Sequence, residues 1–150
     1  MDYTFKKLSS SDLLLLKELL KIFGDAFNEQ NVYQRNLPSD DYLTALLAKP
    51  HFIVLVAMKE NEVVGGLAAY VLEKFEQDRR EIYIYDLAVA EQHRRKGVAT
   101  KLINQLQGLA KEQRAYVIFV QADKGDAPAI QLYESFGNRE EVLHFDIPVE

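Results

Sequence analysis

The sequence predicts an α/β (α+β) protein in which a mixed, twisted sheet of about six strands is flanked by about four helices. Three observations lead to this prediction. Runs rich in β-branched and aromatic residues alternate with runs in which leucines recur at helical spacing. Capping residues and glycines stand where these runs meet. With 150 residues, 48% of them hydrophobic, the chain has the length and composition expected of a single domain, residues 1–150.

The predicted strands share β-branched and aromatic composition. They cover residues 3–8, 52–58, 63–72, 82–89, 117–120 and 141–147. A short polar segment between the second and third of these runs predicts a hairpin turn. The order of elements along the chain, β-α-α-β-β-β-α-β-α-β, indicates a mixed sheet.

The predicted helices share an apolar face and a recognisable start or end. They cover residues 13–23, 39–49, 97–113 and 126–136. Gly24 can end the first, while Pro128 stands in the first turn of the fourth and Gly137 follows its last turn. Residues 25–38 are polar and aromatic, and we expect a loop or an irregular helix there.

Composition excludes several kinds of chemistry. The chain has no cysteine, which excludes disulfides, thiolate metal sites and an acyl-cysteine intermediate. Its three histidines lack partners at zinc-ligand spacing, so no metal is expected. A net charge of −5 disfavours nucleic acid and would attract a polycationic small molecule. No apolar run has the length of a membrane span and no leader is recognisable, so we expect no membrane partner and a cytoplasmic location.

The segment 86–100 carries the clearest chemical signal. A strand that ends at Val89 leads into the basic loop 94–96 and then into Gly97 at the start of a helix. Free N–H groups in a first helical turn, together with the helix dipole, bind anions, and small residues let a pyrophosphate approach. A basic surface loop, with a glycine that permits tight packing, is the alternative interpretation of this short pattern.

Two linked motifs resemble those of the GNAT superfamily of N-acetyltransferases. Arg94-x-x-Gly97-x-Ala99 is similar to its acetyl-CoA motif, and the helix with Tyr133 is similar to its Ala-x-x-Leu-Tyr-x-x-x-Gly motif. The resemblance implies the GNAT fold, acetyl-CoA as the acetyl donor and coenzyme A as a product. The implied cofactor-binding residues are Leu87, Ala88, Val89, Arg94, Arg95, Lys96, Gly97, Val98, Ala99, Thr100, Asp126 and Ala129.

Two residues are predicted to be catalytic. The resemblance implies that Tyr133 is the general acid that protonates the departing thiolate, and a core tyrosine is the alternative. Asp86 lies inside an apolar strand, where an unpaired buried carboxylate would cost several kcal/mol. It could accept a proton from an incoming amine, or hold its ammonium form, during direct attack on the acetyl group. A carboxylate that bonds loop amides is the alternative for Asp86.

A narrower resemblance concerns the acceptor. Five segments are similar to the GNAT-type aminoglycoside 3-N-acetyltransferases: residues 75–77, 81–89, 115–118, 120–123 and 144–147. This resemblance implies an aminoglycoside as the polycationic substrate, the 3-amine of 2-deoxystreptamine as the target, and antibiotic resistance as the role. It also implies that Asp86 faces the acceptor, and it is compatible with a homodimer.

The predicted acceptor-binding residues are Asp86, Tyr83, Asp123, Glu140 and Asp146. Acidic residues in loops and end segments could rim a cleft for a polycation, among them Asp25, Glu29 and Glu141, and solvated surface charges are the alternative for each. Tyr33 and Tyr70 could stack on sugar faces, with core packing as the alternative. Two other functions remain open at this point. One is a GNAT acetyltransferase for a polyamine or a protein or peptide amine, and the other is a non-catalytic CoA-binding module.

Overall fold

The computed structural model describes residues 2–150 and contains a five-stranded sheet in the order β1-β2-β3-β4-β5. The strands are β1 (Thr4–Lys7), β2 (Phe52–Lys59), β3 (Glu62–Glu73), β4 (Arg80–Val89) and β5 (Ala115–Val120). The first four pair antiparallel with their neighbours, and β4 and β5 pair in parallel. The prediction of a mixed sheet is therefore confirmed.

Four α-helices flank the sheet, as predicted. They are α1 (Leu13–Phe27), α2 (Asp40–Leu47), α3 (Val98–Glu112) and α4 (Ala127–Glu134). The hydroxyl of Ser39 caps α2 by accepting a hydrogen bond from the N–H of Tyr42 at 3.1 Å. A π-helical turn, Asn31–Arg35, lies between α1 and α2, and a 3₁₀ turn, Glu91–His93, precedes α3. No helix within residues 2–150 has both the length and the apolar character that crossing a membrane requires.

Gly24 does not end the first helix, contrary to the expectation from sequence. The helix continues to Phe27, and Gly24 is buried beneath the π-helical turn. A Cβ atom at this position would lie 2.7 Å from Nε2 of Gln34, closer than packed atoms approach. The glycine leaves room for the side chain of Gln34 to lie against α1, where its Nε2 donates to the carbonyl oxygen of Lys21 at 2.9 Å.

The apolar core lies on both faces of the sheet. One face packs against α3, with Leu102 and Leu106 fully buried, and α4 covers its edge. The other face packs against α1 and α2, with Leu19 and Phe23 fully buried. Burial of each such side chain stabilises the fold by about 1.5–3 kcal/mol. Because the sheet is packed on both faces, β4 holds any site residues that it carries in fixed positions.

The predicted sixth strand, residues 141–147, is absent. Beyond Gly137 the structure assigns no helix or strand, and the apolar side chains there are exposed, at 81% for Leu143 and 76% for Phe145. A strand requires a neighbour to satisfy its backbone N–H and C=O groups, and in the described chain this segment pairs with none. As a result β5 remains an edge strand.

Candidate active site

The site is built where β4 separates from β5. The last parallel pair joins Ile84 to Val120, so the second half of β4, residues 85–89, has no partner on the β5 side. Strand N–H and C=O groups that lack a neighbouring strand can bind an extended ligand as an added strand would. Leu87, Ala88 and Val89, three of the predicted cofactor-binding residues, lie along this open edge.

A β-bulge at the same place turns Asp86 to a different face of the sheet. Opposite β3, Ala69 pairs with Ile84 but Ala68 pairs with Asp86, which leaves Tyr85 as the extra residue. Ile84 precedes the bulge and packs into the core on the α3 side. Ala88 is also even-numbered but follows the bulge, and it packs into the core on the opposite side, against α1. Bulges commonly re-aim side chains next to active sites. Asp86 thereby shares the α1 face with the tyrosines of β4.

The Asp86 carboxylate is half-buried and bound to one tyrosine. The hydroxyl of Tyr33 donates a hydrogen bond to Oδ2 of Asp86 at 3.0 Å. Burial raises the pKa of Asp86, the Tyr33 hydrogen bond partly opposes that rise, and the negative charge of Glu29 adds to it. A carboxylate with a raised pKa is a stronger base than an exposed one, which is the property that proton transfer from an amine requires.

Tyr33 is presented by the π-helical turn and held by aromatic neighbours. Its ring lies 5.9 Å from that of Phe23 and 5.7 Å from that of Phe27, both on α1. Burial and the charge of Asp86 raise the pKa of Tyr33, so its hydroxyl remains protonated and acts as the donor. The predicted sugar-stacking role of Tyr33 stays a prediction, but the structure also gives this residue a direct partner in Asp86.

We expect Tyr33→Phe to shift the acidic limb of the kcat/KM profile to higher pH. Loss of the hydrogen bond removes the contact that lowers the pKa of Asp86, so the carboxylate will be protonated at a higher pH than in the parent protein. Steady-state rates measured across acidic and neutral pH test this. In an Asp86→Asn background the same change should leave the profile unaltered, and an unshifted limb in the single variant would contradict the assignment.

Tyr133 lies on α4, packed against the core on the α3 side. Burial raises its pKa to about 12, and the charges of Asp126 and Asp86 contribute to the rise. The phenol therefore carries its proton throughout the physiological range, although it is a weaker acid than a free tyrosine, whose pKa is about 10. The structure thus brings the two predicted catalytic residues within electrostatic reach of each other, at the end of β4.

The loop before α3 has the form of an anion cradle. Gly97 has φ of +79°, α3 has no side-chain cap and no acidic residue in its first turn, and a Cβ at Gly97 would meet no atom within 4 Å. The space over the helix N-terminus is therefore open, and the exposed Arg95 and Lys96 flank it. The Nε atom of Arg94 donates to the carbonyl oxygen of Val89 at 2.9 Å, which fixes the loop to the end of β4.

These features fit the diphosphate of coenzyme A. The backbone groups of the first helical turn, in residues 98–100, are those that would hold it. Val98 is 1% exposed, so it can contribute its N–H but not its side chain. The phosphate site at residues 94–100 stays a prediction, and this fit is consistent with it.

We expect Gly97→Ala to weaken acetyl-CoA binding by at least about tenfold. The methyl group would stand in the open space of the cradle, and an alanine at positive φ costs about 1–2 kcal/mol. Gly108→Ala is the matched control, since Gly108 is an exposed residue in the body of α3 where alanine favours the helix. Calorimetric titration measures both affinities; equal affinities in the two folded variants would rule out the cradle.

The other predicted residues lie at different distances from this centre. Tyr83 is close to it: its ring stacks on Phe119 at 4.7 Å. Burial raises the pKa of Tyr83, and Tyr85 and the charge of Asp86 add to the rise. Asp126 caps α4, because its Oδ1 accepts from the N–H of Ala129 at 3.2 Å. That hydrogen bond joins Asp126 and Ala129 to each other at the start of α4. The binding of these two residues to coenzyme A stays a prediction.

Three predicted acceptor residues are exposed and have no described contact with Asp86. They are Asp123, Glu140 and Asp146. Asp123 belongs to the turn before α4, where its carbonyl oxygen accepts from the N–H of Asp126 at 3.0 Å. Asp146 lies in the C-terminal segment and pairs with His144 at 2.9 Å. The structure does not gather these three carboxylates around Asp86 within one chain, and their role stays a prediction.

The histidines do not join the site. Nδ1 of His93 is hydrogen-bonded to the hydroxyl of Tyr3 at 2.9 Å. This contact connects the residue that precedes β1 with the 3₁₀ turn before α3. Within residues 2–150 no three histidine or carboxylate side chains are grouped as a metal ion would require.

Comparison with known proteins agrees with this architecture. The family model described as the acetyltransferase (GNAT) family matches residues 16–137, which is most of the chain. The protein therefore belongs to the GNAT acetyltransferase family. No similar sequence is found among curated proteins.

Solved structures extend the comparison. The chain is 53% identical to the aminoglycoside acetyltransferase HMB0005 from an uncultured soil metagenomic sample, with full coverage of both chains and a TM-score of 0.98. It is 34% identical to the aminoglycoside acetyltransferase meta-AAC0020, also from a soil metagenome and solved in complex with sisomicin, over 99% of this chain and 97% of that one, with a TM-score of 0.92. A ribosomal-protein-alanine N-acetyltransferase from Brucella melitensis, 22% identical over 99% of this chain and 100% of that one with a TM-score of 0.77, shares the fold alone.

Proposed function

We propose that this enzyme transfers an acetyl group from acetyl-CoA to an amine of an aminoglycoside, namely the 3-amine of 2-deoxystreptamine. The observation that carries the proposal is the half-buried Asp86 carboxylate, bonded to Tyr33 and close to Glu29, beside the open edge of β4. Two carboxylates beside a group of aromatic rings suit a polycationic acceptor. The aminoglycoside acetyltransferases at 53% and 34% identity support the same acceptor class.

In the proposed reaction acetyl-CoA supplies the acetyl group as a thioester, held by the edge of β4 and the cradle at residues 94–100. Asp86 holds the incoming ammonium group and accepts its proton, so that the neutral amine can attack. Tyr133 keeps a proton on its hydroxyl and donates it to the sulfur as the bond between the acetyl carbon and sulfur breaks. The nitrogen of the new amide gives up its remaining extra proton, and Tyr133 regains a proton by way of solvent. No covalent enzyme intermediate is involved, which agrees with a chain that has no cysteine.

Free-thiol release from acetyl-CoA tests the acceptor class. A thiol reagent has no background reaction with the enzyme, because the chain has no cysteine. The panel should contain sisomicin and gentamicin-like aminoglycosides, spermidine and short peptides. We expect turnover with the aminoglycosides, and NMR of the product should place the acetyl group on the 3-nitrogen. Turnover only with spermidine or peptides would replace the proposed acceptor, and binding of acetyl-CoA without turnover would identify a CoA-binding module.

The biological role that follows is antibiotic resistance, with the enzyme acting in the cytoplasm. Expression in a susceptible bacterium should raise the inhibitory concentration of the drugs that are acetylated in vitro. The same strain carrying the Asp86→Asn variant is the control, and an equal rise in both strains would contradict an enzymatic cause.

A further inference from the structure

The π-helical turn Asn31–Arg35 carries the tyrosine that binds Asp86, so the position of the turn decides where that tyrosine lies. The turn is closed by one backbone hydrogen bond, from the N–H of Asn36 to the carbonyl oxygen of Asn31 at 3.2 Å. π-helical turns are rare and are frequently found at functional sites. A helical turn of five residues is marginal by itself, and contacts outside the turn must hold it in place.

Gln34, the neighbour of Tyr33, supplies such a contact. Its Nε2 donates to the carbonyl oxygen of Lys21 and to Oδ1 of Asp25, each at 2.9 Å. The two bonds use both hydrogens of the side-chain amide, and both acceptors belong to α1. Apart from the bond between Tyr33 and Asp86, the other described side-chain hydrogen bonds of the turn stay within it. Gln34 is therefore the hydrogen-bonded tether between the turn and α1.

Gly24 leaves the space in which this tether lies. A Cβ atom at position 24 would lie 2.7 Å from Nε2 and 3.1 Å from Cγ of Gln34, so a side chain there would push Gln34 away from its acceptors. Glycine in the interior of a helix is less favourable than alanine. The room that it leaves for Gln34 is the structural reason for a glycine in the middle of α1.

The tether and the aromatic contacts act on different parts of Tyr33. Phe23 and Phe27 lie against its ring, with ring centroids 5.9 and 5.7 Å away. Apolar contacts of this kind tolerate small movements, whereas a hydrogen bond weakens steeply with distance and angle. A small displacement of the turn would therefore leave the ring packed on α1 and weaken the bond of the hydroxyl to Asp86.

We propose that Gln34 is a positioning residue, which holds the π-helical turn against α1 so that the Tyr33 hydroxyl stays bonded to Asp86. The proposal rests on the role of Asp86 given under the proposed function, and it adds a residue that acts on that carboxylate only through Tyr33. Loss of the tether should therefore have the same kind of effect as loss of the Tyr33 hydroxyl.

The direction of the effect follows from the groups around Asp86. The Tyr33 hydrogen bond lowers the pKa of Asp86, so weakening it should raise that pKa. Glu29, whose charge raises the pKa, stays in place without the tether because its N–H is bonded to the carbonyl oxygen of Gly24 at 2.9 Å. The other titratable groups that interact with the charge of Asp86 lie on β3, β4 and α4 and do not move with the turn: Tyr70, Tyr83 and Tyr133.

A ¹³C NMR titration of the Asp86 carboxyl carbon tests the tether without any substrate. Gln34→Met keeps nearly the length of the side chain and removes its donors. Gly24→Ala keeps Gln34 but displaces it, and alanine favours the α1 helix. Each variant should raise the pH at which Asp86 is half-protonated by about 0.5, a change of about threefold in proton affinity.

Asn36→Ala is the matched control. It removes a side-chain hydrogen bond of the same turn, from Nδ2 to the carbonyl oxygen of Asn31 at 3.1 Å, that does not reach α1. The titration of Asp86 should remain that of the parent protein. In a Tyr33→Phe background Gln34→Met should have no further effect, because it acts only through the missing hydroxyl.

Three results would each overturn the proposal. They are an unshifted Asp86 titration in either tether variant, a shift that persists undiminished in the Tyr33→Phe background, and an equal shift in Asn36→Ala. The acidic limb of kcat/KM for an aminoglycoside should move together with the carboxyl titration. A titration that shifts as expected in a protein without aminoglycoside turnover would contradict the proposed function and support the tether.

Discussion

Replacement of Asp86 by asparagine should lower kcat/KM for the aminoglycoside by about a hundred-fold or more. The variant keeps the shape of the side chain and an oxygen that can accept from Tyr33, but it loses the charge that holds an ammonium group and the capacity to take its proton. Acetyl-CoA affinity should be unchanged, because the groups that fit coenzyme A are the β4 edge and the α3 N-terminus. Steady-state kinetics and calorimetry measure the two effects separately.

Stability distinguishes this role from a structural one. The pKa of Asp86 is higher in the folded protein than in the unfolded chain. The free energy of unfolding therefore falls as pH rises from the unfolded-state pKa through the folded-state pKa. At neutral pH the neutral asparagine avoids that cost, so Asp86→Asn should melt at the same temperature as the parent protein or higher. A carboxylate that merely supported loops would instead lower the melting temperature and the cofactor affinity together. Glu81→Gln, on the same strand, is the control and should keep normal turnover.

Replacement of Tyr133 by phenylalanine should lower kcat by about ten- to a thousand-fold, the usual contribution of one general acid. The packing volume hardly changes, so the melting temperature and the affinity for acetyl-CoA should be retained. Because the pKa of Tyr133 is about 12, the loss should be the same at all pH values from acidic to mildly alkaline. Tyr42→Phe, at an exposed position on α2, is the matched control.

Single-turnover measurements are the appropriate readout for Tyr133→Phe, since they report the chemical step even where product release limits kcat. An unchanged single-turnover rate would mean that Tyr133 only packs against the core. A slower single-turnover rate together with a lower melting temperature would also mean that Tyr133 only packs against the core.

Most helices and strands could be predicted from the sequence because their causes are local. Ser39 and Asp126 cap α2 and α4 through bonds to residues three positions away, and the leucine spacing of α3 reports its buried face directly. The loop from Arg94 to Gly97 was recognisable for the same reason, since an anion cradle at a helix N-terminus is made from consecutive residues. The family resemblance rests on these local motifs, and the family match confirms it.

The acceptor side of the site could not be predicted in the same way. The partner of Asp86 is 53 positions away, on a π-helical turn in a segment whose sequence indicated only a loop or irregular helix. The bulge at Tyr85 that turns Asp86 to the α1 face carries neither glycine nor proline, so no local pattern marked it.

What the sequence by itself determined is therefore the class of fold, the order of all its predicted elements except the last strand, and the pattern of the loop before α3. Only the tertiary structure decided which side chains meet Asp86, that Gly24 lies beneath Gln34 within a continuing helix, and that residues 141–147 have no strand neighbour in their own chain. The physical reason is that capping and periodicity act between residues a few positions apart, whereas the pKa of a carboxylate and the pairing of a strand depend on groups that the fold brings from elsewhere.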